Sequence, residues 1–368
     1  MHEIFIQTDD QRAIVNTVQR FVEEEVSPRA DELDANTDPE DSFSWEIVEK
    51  AHEIGIRQMT LSEEYGGLGT DSLTTSMVIE ELGKGDLGVS VIFAQTLKIA
   101  QIMQAALNDE QRKRVLPKFA EDPRGMLGIG ITEPDNASNY FIPHPTPFQT
   151  SAEKVNGGWM VNGMKHFISN GNRSIFYLLF VQTTKGVGLA EGSTCFLLER
   201  GRDGFSTGRV HDKMGERLAN NAELIFQDCF IPDENVVGEV GNGFNVLAKF
   251  FPQSNAYAGA SVLGVAEACY KKSVEWAKIR IQGGKPIIEH DGIRAQLAEM
   301  RMLIDASRSY IHRACYLADH QEEGWDKTLG VLPKTMASQA AWKIATWCLE
   351  IHGGHGYMKE FGVAKLLR

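Results

Sequence analysis

The first third of the chain shows the apolar spacing of helices. In the first predicted helix the apolar stripe consists of Ile14, Val18, Phe21 and Val22. Acidic residues fall largely off that stripe, as in an amphipathic helix. Further helices are predicted over about 45–54, 72–83, 89–107 and 109–119, with Ser44 and Asn108 as N-caps. A Gly-rich loop at 63–69 interrupts them, and we predict an N-terminal α-helical domain over residues 1–125.

From about residue 128 to 238 the pattern changes to short apolar runs punctuated by Gly and Asn. Strands are predicted over about 155–161, 174–183, 195–198 and 222–230, and the first is interrupted by a hairpin turn at Asn156-Gly157-Gly158. Helices do not alternate with these strands, and no GxGxxG motif follows one, which excludes a Rossmann fold. We predict a compact, barrel-like middle β domain over residues 126–240.

Helical spacing returns after Gly243 in three long stretches, about 244–282, 286–323 and 329–352. Small residues dominate 256–267, which suits the close packing of helices. Long helices in sequence predict a bundle. The C-terminal domain is therefore predicted over residues 241–368, and the fold class is α+β multidomain.

The composition is that of a soluble globular protein with a formal net charge of −13. This charge disfavours a nucleic-acid partner, although a local basic patch could still bind an anionic ligand. The scattered cysteines have no metal-ligand spacing and are typical of free thiols in a reducing compartment: Cys195, Cys229, Cys269, Cys315 and Cys348. No apolar run reaches the ~20 residues of a membrane span, and the N-terminus lacks a signal-peptide pattern. We expect a cytoplasmic protein that does not enter a membrane.

Two histidines near the C-terminus flank a pair of glycines. His352 and His355 have no carboxylate or cysteine partner at ligand spacing. The sequence pattern therefore predicts no metal site.

Seven short motifs follow one another along almost the whole chain. They are Glu63–Gly69 (EEYGGLG), Gly130–Pro134 (GITEP), Lys165–Gly171 (KHFISNG), Lys213–Arg217 (KMGER) with Glu223-Leu224 and Ile231-Pro232, Gly243-Phe244, Arg280 with Gly284–Ile287, and Glu350–Tyr357 (EIHGGHGY). One such motif would be weak, whereas seven in order are specific. With them the chain resembles the acyl-CoA dehydrogenase family, and this resemblance implies an N-terminal helical domain, a middle β domain and a C-terminal four-helix bundle.

The resemblance also implies FAD as the cofactor. Ile131 and Thr132 match residues whose backbone meets the pyrimidine side of the flavin ring. Ser169 stands where the family's Thr donates a hydrogen bond to N5, the atom that accepts hydride, and Phe167 replaces the usual Trp beside the ring. Ser138 would contact the FAD pyrophosphate.

A neighbouring subunit is implied as well. Arg280, Gly353 and Gly354 match family residues that reach the FAD of the adjacent subunit, since a guanidinium suits a phosphate and glycines allow close approach. A homo-oligomer is implied, and a hetero-oligomer is possible. The resemblance implies an acyl-CoA substrate and an electron-transfer flavoprotein as electron acceptor. Positions near the substrate are matched by Gln95, Thr96 and Asn255.

The family's reaction needs a carboxylate base that removes the α-proton while a β-hydride passes to flavin N5. In most members this base lies about nine residues beyond the position of Arg368, and in a minority branch it lies near 254. Here the second position reads Gln253-Ser254-Asn255. We therefore nominate no catalytic base within residues 1–368.

Other departures from the family pattern are Asn255 for an Arg, Gly283 for a Phe, and Asp291 and Glu350 for Gln. Two interpretations stay open. The favoured one is an enzyme whose base lies in a segment after Arg368; the other is a non-catalytic or half-site subunit that pairs with a different family member. A third interpretation is a relative with oxidase or monooxygenase chemistry on another small molecule.

Overall fold

A computed structural model describes residues 6–137, 147–248, 251–320 and 328–368. The first part is helical, with α1 Asp9–Phe21, α2 Ser27–Asp34, α3 Trp45–Glu53, α4 Ser72–Gly85, α5 Leu87–Ala106 and α6 Asp109–Glu121. A π-helical turn, Val22–Val26, joins α1 to α2. The helical segment therefore continues beyond Val22, the last residue of the predicted apolar stripe. The other predicted helices of this part are confirmed to within a few residues.

Both predicted caps are present and explain where their helices begin. The Ser44 hydroxyl accepts from the amide of Ile47 at 3.3 Å at the start of α3. At the start of α6, Asn108 Oδ1 accepts from the Gln111 amide at 2.9 Å, and Gln111 Oε1 accepts from the Asn108 amide at 3.1 Å. This capping box satisfies two amides that the helix itself leaves without acceptors.

The middle part is a sheet of eight strands, β1 Leu127–Gly130, β2 Ser151–Val155, β3 Gly158–Ser169, β4 Phe176–Gln182, β5 Ser193–Glu199, β6 Phe205–Val210, β7 Asn221–Pro232 and β8 Val236–Val237. A short helix, α7 Leu189–Gly192, lies between β4 and β5. The strand order is β6-β7-β3-β2-β4-β5-β8, and β1 lies parallel to β4. The hairpin turn between β2 and β3 falls at Asn156-Gly157, where the sequence predicted it, and Gly157 has the positive φ of 75° that the turn requires.

The last part is again helical, with α8 Gly243–Ala248, α9 Phe251–Ile279, α10 Asp291–Asp319, α11 Thr328–His352, α12 Gly354–Tyr357 and α13 Val363–Leu367. The prediction that the second long helix begins near 286 is wrong. A small hairpin, β9 Ile281–Gln282 and β10 Lys285–Pro286, and a 3₁₀ turn precede α10. Pro286 belongs to that hairpin, so the helix begins five residues later, at Asp291.

Close packing of α9 against α4 fixes the C-terminal helices on the N-terminal ones. A Cβ added at Gly83 of α4 would lie 2.4 Å from the Ser261 carbonyl oxygen, and one at Gly264 of α9 would lie 2.2 Å from that of Glu80. Only glycine permits this approach, as the small-residue stretch at 256–267 predicted. One apolar core therefore runs through helices of both parts, including Val78, Leu82, Leu263, Ile304 and Ile344.

Two further apolar clusters cover the faces of the sheet. One packs α5 and α6 against it, with Phe119, Leu178 and Leu197 as members, and the other contains Trp159, Phe196 and Phe226. One described helix, α5, is long and apolar enough to cross a membrane by length and composition, but 61% of that stretch is buried inside the protein. Such burial is typical of a core helix.

Candidate functional site

The paired strands β3 and β7 carry motif residues that were predicted to face a flavin. Their antiparallel pairing breaks between Lys165 and Ile168, where two residues of β3, His166 and Phe167, stand opposite Glu223 of β7. Phe167 takes a positive φ of 59°, a backbone conformation that costs a bulky residue free energy. The bulge turns its ring outward, leaving the side chain 59% exposed.

Ser169 lies at the end of β3 with its hydroxyl already oriented. The side-chain amide of Asn221 donates to Ser169 Oγ at 3.1 Å and to the Phe167 carbonyl oxygen at 3.1 Å. Lys213 Nζ donates in turn to Asn221 Oδ1 at 2.7 Å, which fixes the side of the amide that faces Ser169. Because the serine oxygen accepts from Asn221, its own proton remains available to donate to a ligand.

The loop after β1 lies beside the same bulge. Thr132 Oγ1 donates to the His166 carbonyl oxygen at 2.5 Å, and the His166 amide donates to the Thr132 carbonyl oxygen at 2.8 Å. The Thr132 hydroxyl is thus used inside the protein, while its amide donates to no group among the described residues. The predicted backbone role of Ile131 and Thr132 needs an available amide, and Thr132 has one.

A buried ion pair holds this loop to β3. Lys165 Nζ lies 2.7 Å from Glu133 Oε1, and both side chains have no exposed surface. Lys165 also donates to the Ile131 carbonyl oxygen at 3.0 Å, and Glu133 accepts from the amides of Gln149 and Thr150. Burial lowers the pKa of Lys165 to about 8, against the opposing charge of Glu133. The pair therefore fixes the position of residues 131–132 relative to Phe167 and Ser169.

A second group of predicted residues lies on the C-terminal helices. The Arg280 guanidinium stands 6.0 Å from the ring centre of Trp276, and this ring stacks on His352 at 5.2 Å. Gly353 follows directly, with φ 58° and ψ −136°, a conformation open only to glycine. Trp276 thus brings Arg280 and the Gly353-Gly354 turn to one surface, and no ion pair of Arg280 occurs within the described chain.

The remaining predicted positions are less informative. Ser138 lies outside the described residues. Thr96 is fully buried, donates to the Ile92 carbonyl oxygen at 2.9 Å and lies 3.4 Å from the Asn170 amide nitrogen, so it joins α5 to the end of β3. Gln95, the preceding residue on α5, and Asn255 on α9 are half-buried. Their predicted substrate roles stay predictions.

Sequence reasoning missed the residues that support the site. Lys165 lies on the same face of β3 as Gly163, Val161 and Trp159, because side chains two positions apart in a strand point to the same side. The alternation therefore indicates that the charged side chain of Lys165 is buried. A buried lysine needs a carboxylate partner, and that signal could have pointed to Glu133. Lys213 belongs to the KMGER motif, but no role was predicted for it, and no pattern pointed to Asn221, because the contacts that hold Ser169 cross from the loop after β6 and from β7.

The surface at the bulge of β3, together with the loop after β1, fits a flavin by its chemistry. The exposed aromatic ring offers an apolar surface, and the oriented hydroxyl and the free amide offer two hydrogen-bond donors. These groups suit a planar ring that has both apolar parts and hydrogen-bond acceptors. These groups belong to Phe167, Ser169 and Thr132.

Comparison with known proteins gives one consistent result. Residues 8–122, 128–229 and 241–368 match the family models described as the N-terminal, middle and C-terminal domains of acyl-CoA dehydrogenase. The chain is 32% identical to the short-chain specific acyl-CoA dehydrogenase of Megasphaera elsdenii, over 98% of this chain and 92% of that protein.

Solved structures agree with the sequence comparison. Butyryl-CoA dehydrogenase from Megasphaera elsdenii superposes with a TM-score of 0.90 at 31% identity, covering 99% of this chain and 93% of that one. A chain of the structure described as the electron transferring flavoprotein of Acidaminococcus fermentans gives a TM-score of 0.91 at 29% identity, covering 99% and 92%. Since all three domains match in order, the chain belongs to the acyl-CoA dehydrogenase family.

Proposed function

We propose that the protein catalyses the α,β-dehydrogenation of an acyl-CoA thioester with FAD as its cofactor. The observation that carries the proposal is the oriented hydroxyl of Ser169, held by Asn221 at 3.1 Å beside the exposed ring of Phe167. Membership of an oxidoreductase family whose relatives include short-chain and butyryl-CoA dehydrogenases supports it. When bound, FAD supplies the two-electron acceptor for the β-hydride.

Residues of the chain itself would position the reacting groups and exclude water from them. Ser169 would donate a hydrogen bond toward N5, and a donor placed where negative charge develops lowers the barrier. Phe167 would cover the ring and exclude water on that side. Lys213 and Asn221 hold the Ser169 hydroxyl so that it would donate its proton toward the flavin ring. The hydroxyl would then not have to reorient during the reaction.

The proposal extends to partners and assembly. Electrons would pass to an electron-transfer flavoprotein, in keeping with the Acidaminococcus fermentans relative. Arg280 and the Gly353-Gly354 turn would hold the pyrophosphate end of the FAD of a neighbouring subunit in a homo-oligomer, since they form a surface of their own around Trp276. A cytoplasmic location is part of the same proposal, and the five cysteines, all free and buried, are compatible with it.

A second candidate is a half-site subunit of a heteromeric dehydrogenase. The observation that favours it is the surface near the Arg280 hairpin, where Asp291 places an exposed carboxylate, paired with Arg294, at a position that is Gln in most of the family. A carboxylate near a pyrophosphate is unfavourable by simple electrostatics. The subunit would then support a partner's active site without a complete one of its own.

An anaerobic titration separates the two candidates. The purified yellow protein is mixed with straight-chain, branched and dicarboxylic acyl-CoAs, and the flavin absorbance is followed. Bleaching by one thioester, with formation of the corresponding enoyl-CoA, is the expected result. A flavin that is reduced by dithionite but by no acyl-CoA would overturn the proposed activity and favour the half-site subunit, whose partner would then be sought by co-purification.

A further inference from the structure

One carboxylate on β7 stands opposite irregularities in both neighbouring strands. Glu223 faces the bulge of His166 and Phe167 on β3, and on its other side it faces Gly208 and Arg209 of β6, where the pairing also skips a residue. His211 follows β6 directly, and its amide donates to the Asn221 carbonyl oxygen at 2.9 Å. The two irregularities therefore bring side chains from three strands to one point on the sheet.

These side chains form a compact set of metal ligands. One ligand atom from each of His166, His211 and Glu223 lies within 4.8 Å of the other two, and all three residues are partly buried. His166 Nε2 is 3.5 Å from Glu223 Oε1, and the two imidazole rings meet edge to face with their centres 4.6 Å apart. Phe167 packs on both rings and shields them from solvent.

Both imidazoles also have a buried nitrogen that nothing satisfies. His166 Nδ1 and His211 Nε2 are without a hydrogen-bond partner among the described residues. A buried polar atom left in this way costs about 1–3 kcal/mol unless a ligand, ion or water meets it.

The carboxylate is oriented by the backbone. Glu223 Oε2 accepts from the Arg209 amide at 3.1 Å, which leaves Oε1 facing His166. A Cβ at position 208 would lie 2.5 Å from Glu223 Oε2, so a larger residue than Gly208 would displace this carboxylate from its present position. A partner that fixes the orientation of a ligand is the usual support of metal sites in proteins.

From this arrangement we infer that His166, His211 and Glu223 bind a divalent transition-metal ion such as Zn²⁺ on the β6–β7–β3 face of the sheet, beside Phe167. Two imidazoles and one carboxylate are a known donor set for zinc, with a fourth position left to water. The ligands come from β3, from β7 and from the residue after β6, which is why no spacing in the sequence predicted them.

Zinc binding by the flavin-loaded full-length protein tests the inference. Protein treated with a chelator is dialysed against buffered free Zn²⁺, and zinc, protein and flavin are measured in each sample. The expected result is one zinc per chain, with affinity at least about tenfold lower in Glu223→Gln and in His211→Gln, as loss of a direct ligand requires. His320→Gln, which changes an exposed histidine stacked on Tyr316, is the matched control and should bind zinc as the wild type does.

Equal zinc binding by the wild type, Glu223→Gln and His211→Gln would overturn the site, and so would a wild type that binds none. X-ray absorption of the zinc-loaded wild type gives a second measurement that does not depend on the folding of a variant. Imidazole scattering with Zn–N and Zn–O distances of about 2.0–2.2 Å supports the site, whereas a sulfur shell contradicts it. Flavin reduction by acyl-CoA is measured separately, so the failure of either proposal leaves the other intact.

Discussion

Ser169 shows how a single hydroxyl is given a direction by its neighbours. Its oxygen accepts from Asn221, and Asn221 is held by Lys213, so the proton of the serine can only point away from the protein's own donors. Ser169, Asn221 and Lys213 together therefore set the direction in which the serine can donate a hydrogen bond.

Replacing Ser169 by Ala should slow flavin reduction far more than it lowers the FAD content. Loss of one hydrogen bond that strengthens in the transition state costs about 1.4–3 kcal/mol, or about 10- to 100-fold in rate. Stopped-flow reduction by the best acyl-CoA gives the rate, and the absorbance of the purified protein gives the FAD content. Ser206→Ala, at an exposed serine of β6, is the control and should change neither quantity. An unchanged rate in Ser169→Ala rules out the role.

At the scale of elements, the buried ion pair of Lys165 and Glu133 joins the loop after β1 to β3. Taking both charges out of water is costly, and the pair is stable only because Glu133 also accepts from two backbone amides and Lys165 donates to the Ile131 carbonyl oxygen. Removing one partner leaves the other charge buried and unpaired. The site's geometry and part of the stability of the middle domain therefore depend on the same contact.

Lys165→Met is expected to lower the free energy of unfolding by about 3–5 kcal/mol, measured by urea denaturation. The double variant with Glu133→Leu should cost less than the sum of the two single changes, because it leaves no unpaired charge behind. The exposed pair of Lys185 and Glu153, with 84% and 70% of the side chains accessible, is the comparison. Lys185→Met should cost less than about 1 kcal/mol. Strictly additive single changes would contradict the coupling.

At the scale of the whole molecule, one ion pair ties the N-terminal helices to the C-terminal bundle. Arg308 of α10 reaches Glu80 of α4 at 2.7 Å and Glu267 of α9 at 2.7 Å, so a single guanidinium contacts three helices. Burial opposes the ionisation of Glu80, but the charge and hydrogen bonds of Arg308 outweigh it and hold the pKa of Glu80 below its usual value. The junction therefore contributes to stability only while Glu80 is ionised.

Glu80→Gln should destabilise the protein by about 3 kcal/mol at neutral pH. Since the pKa of Glu80 is lowered in the folded state, the contribution is complete above the unfolded value of about 4.3 and is lost as pH falls through the folded pKa. Urea denaturation from about pH 7 to about pH 3 should thus show a constant difference in stability between wild type and variant down to about pH 4.3, and a narrowing difference below it. Glu299→Gln, which removes an exposed pair with Lys343, should change stability little at any pH. A constant gap at every pH would contradict the assignment to Glu80.

The order of helices, sheet and helices could be predicted from the sequence because helix and strand periods are local properties of the chain. Ser44, Asn108 and the Asn156-Gly157 turn were predicted correctly for the same reason, since a cap or a turn involves neighbours within three or four residues. The start of α10 was predicted wrongly because the short hairpin before it depends on pairing between residues that no period reveals.

The sequence by itself determined the three-domain layout and the family, and it predicted which motif residues would face a flavin. Only the tertiary structure decided how those residues are held: the donor direction of Ser169, the pairing of Lys165 with Glu133, and the meeting of His166, His211 and Glu223. Each of these contacts joins strands or loops far apart in the chain. Their geometry depends on bulges and strand order, which follow from the packing of the whole sheet and have no local sequence signal.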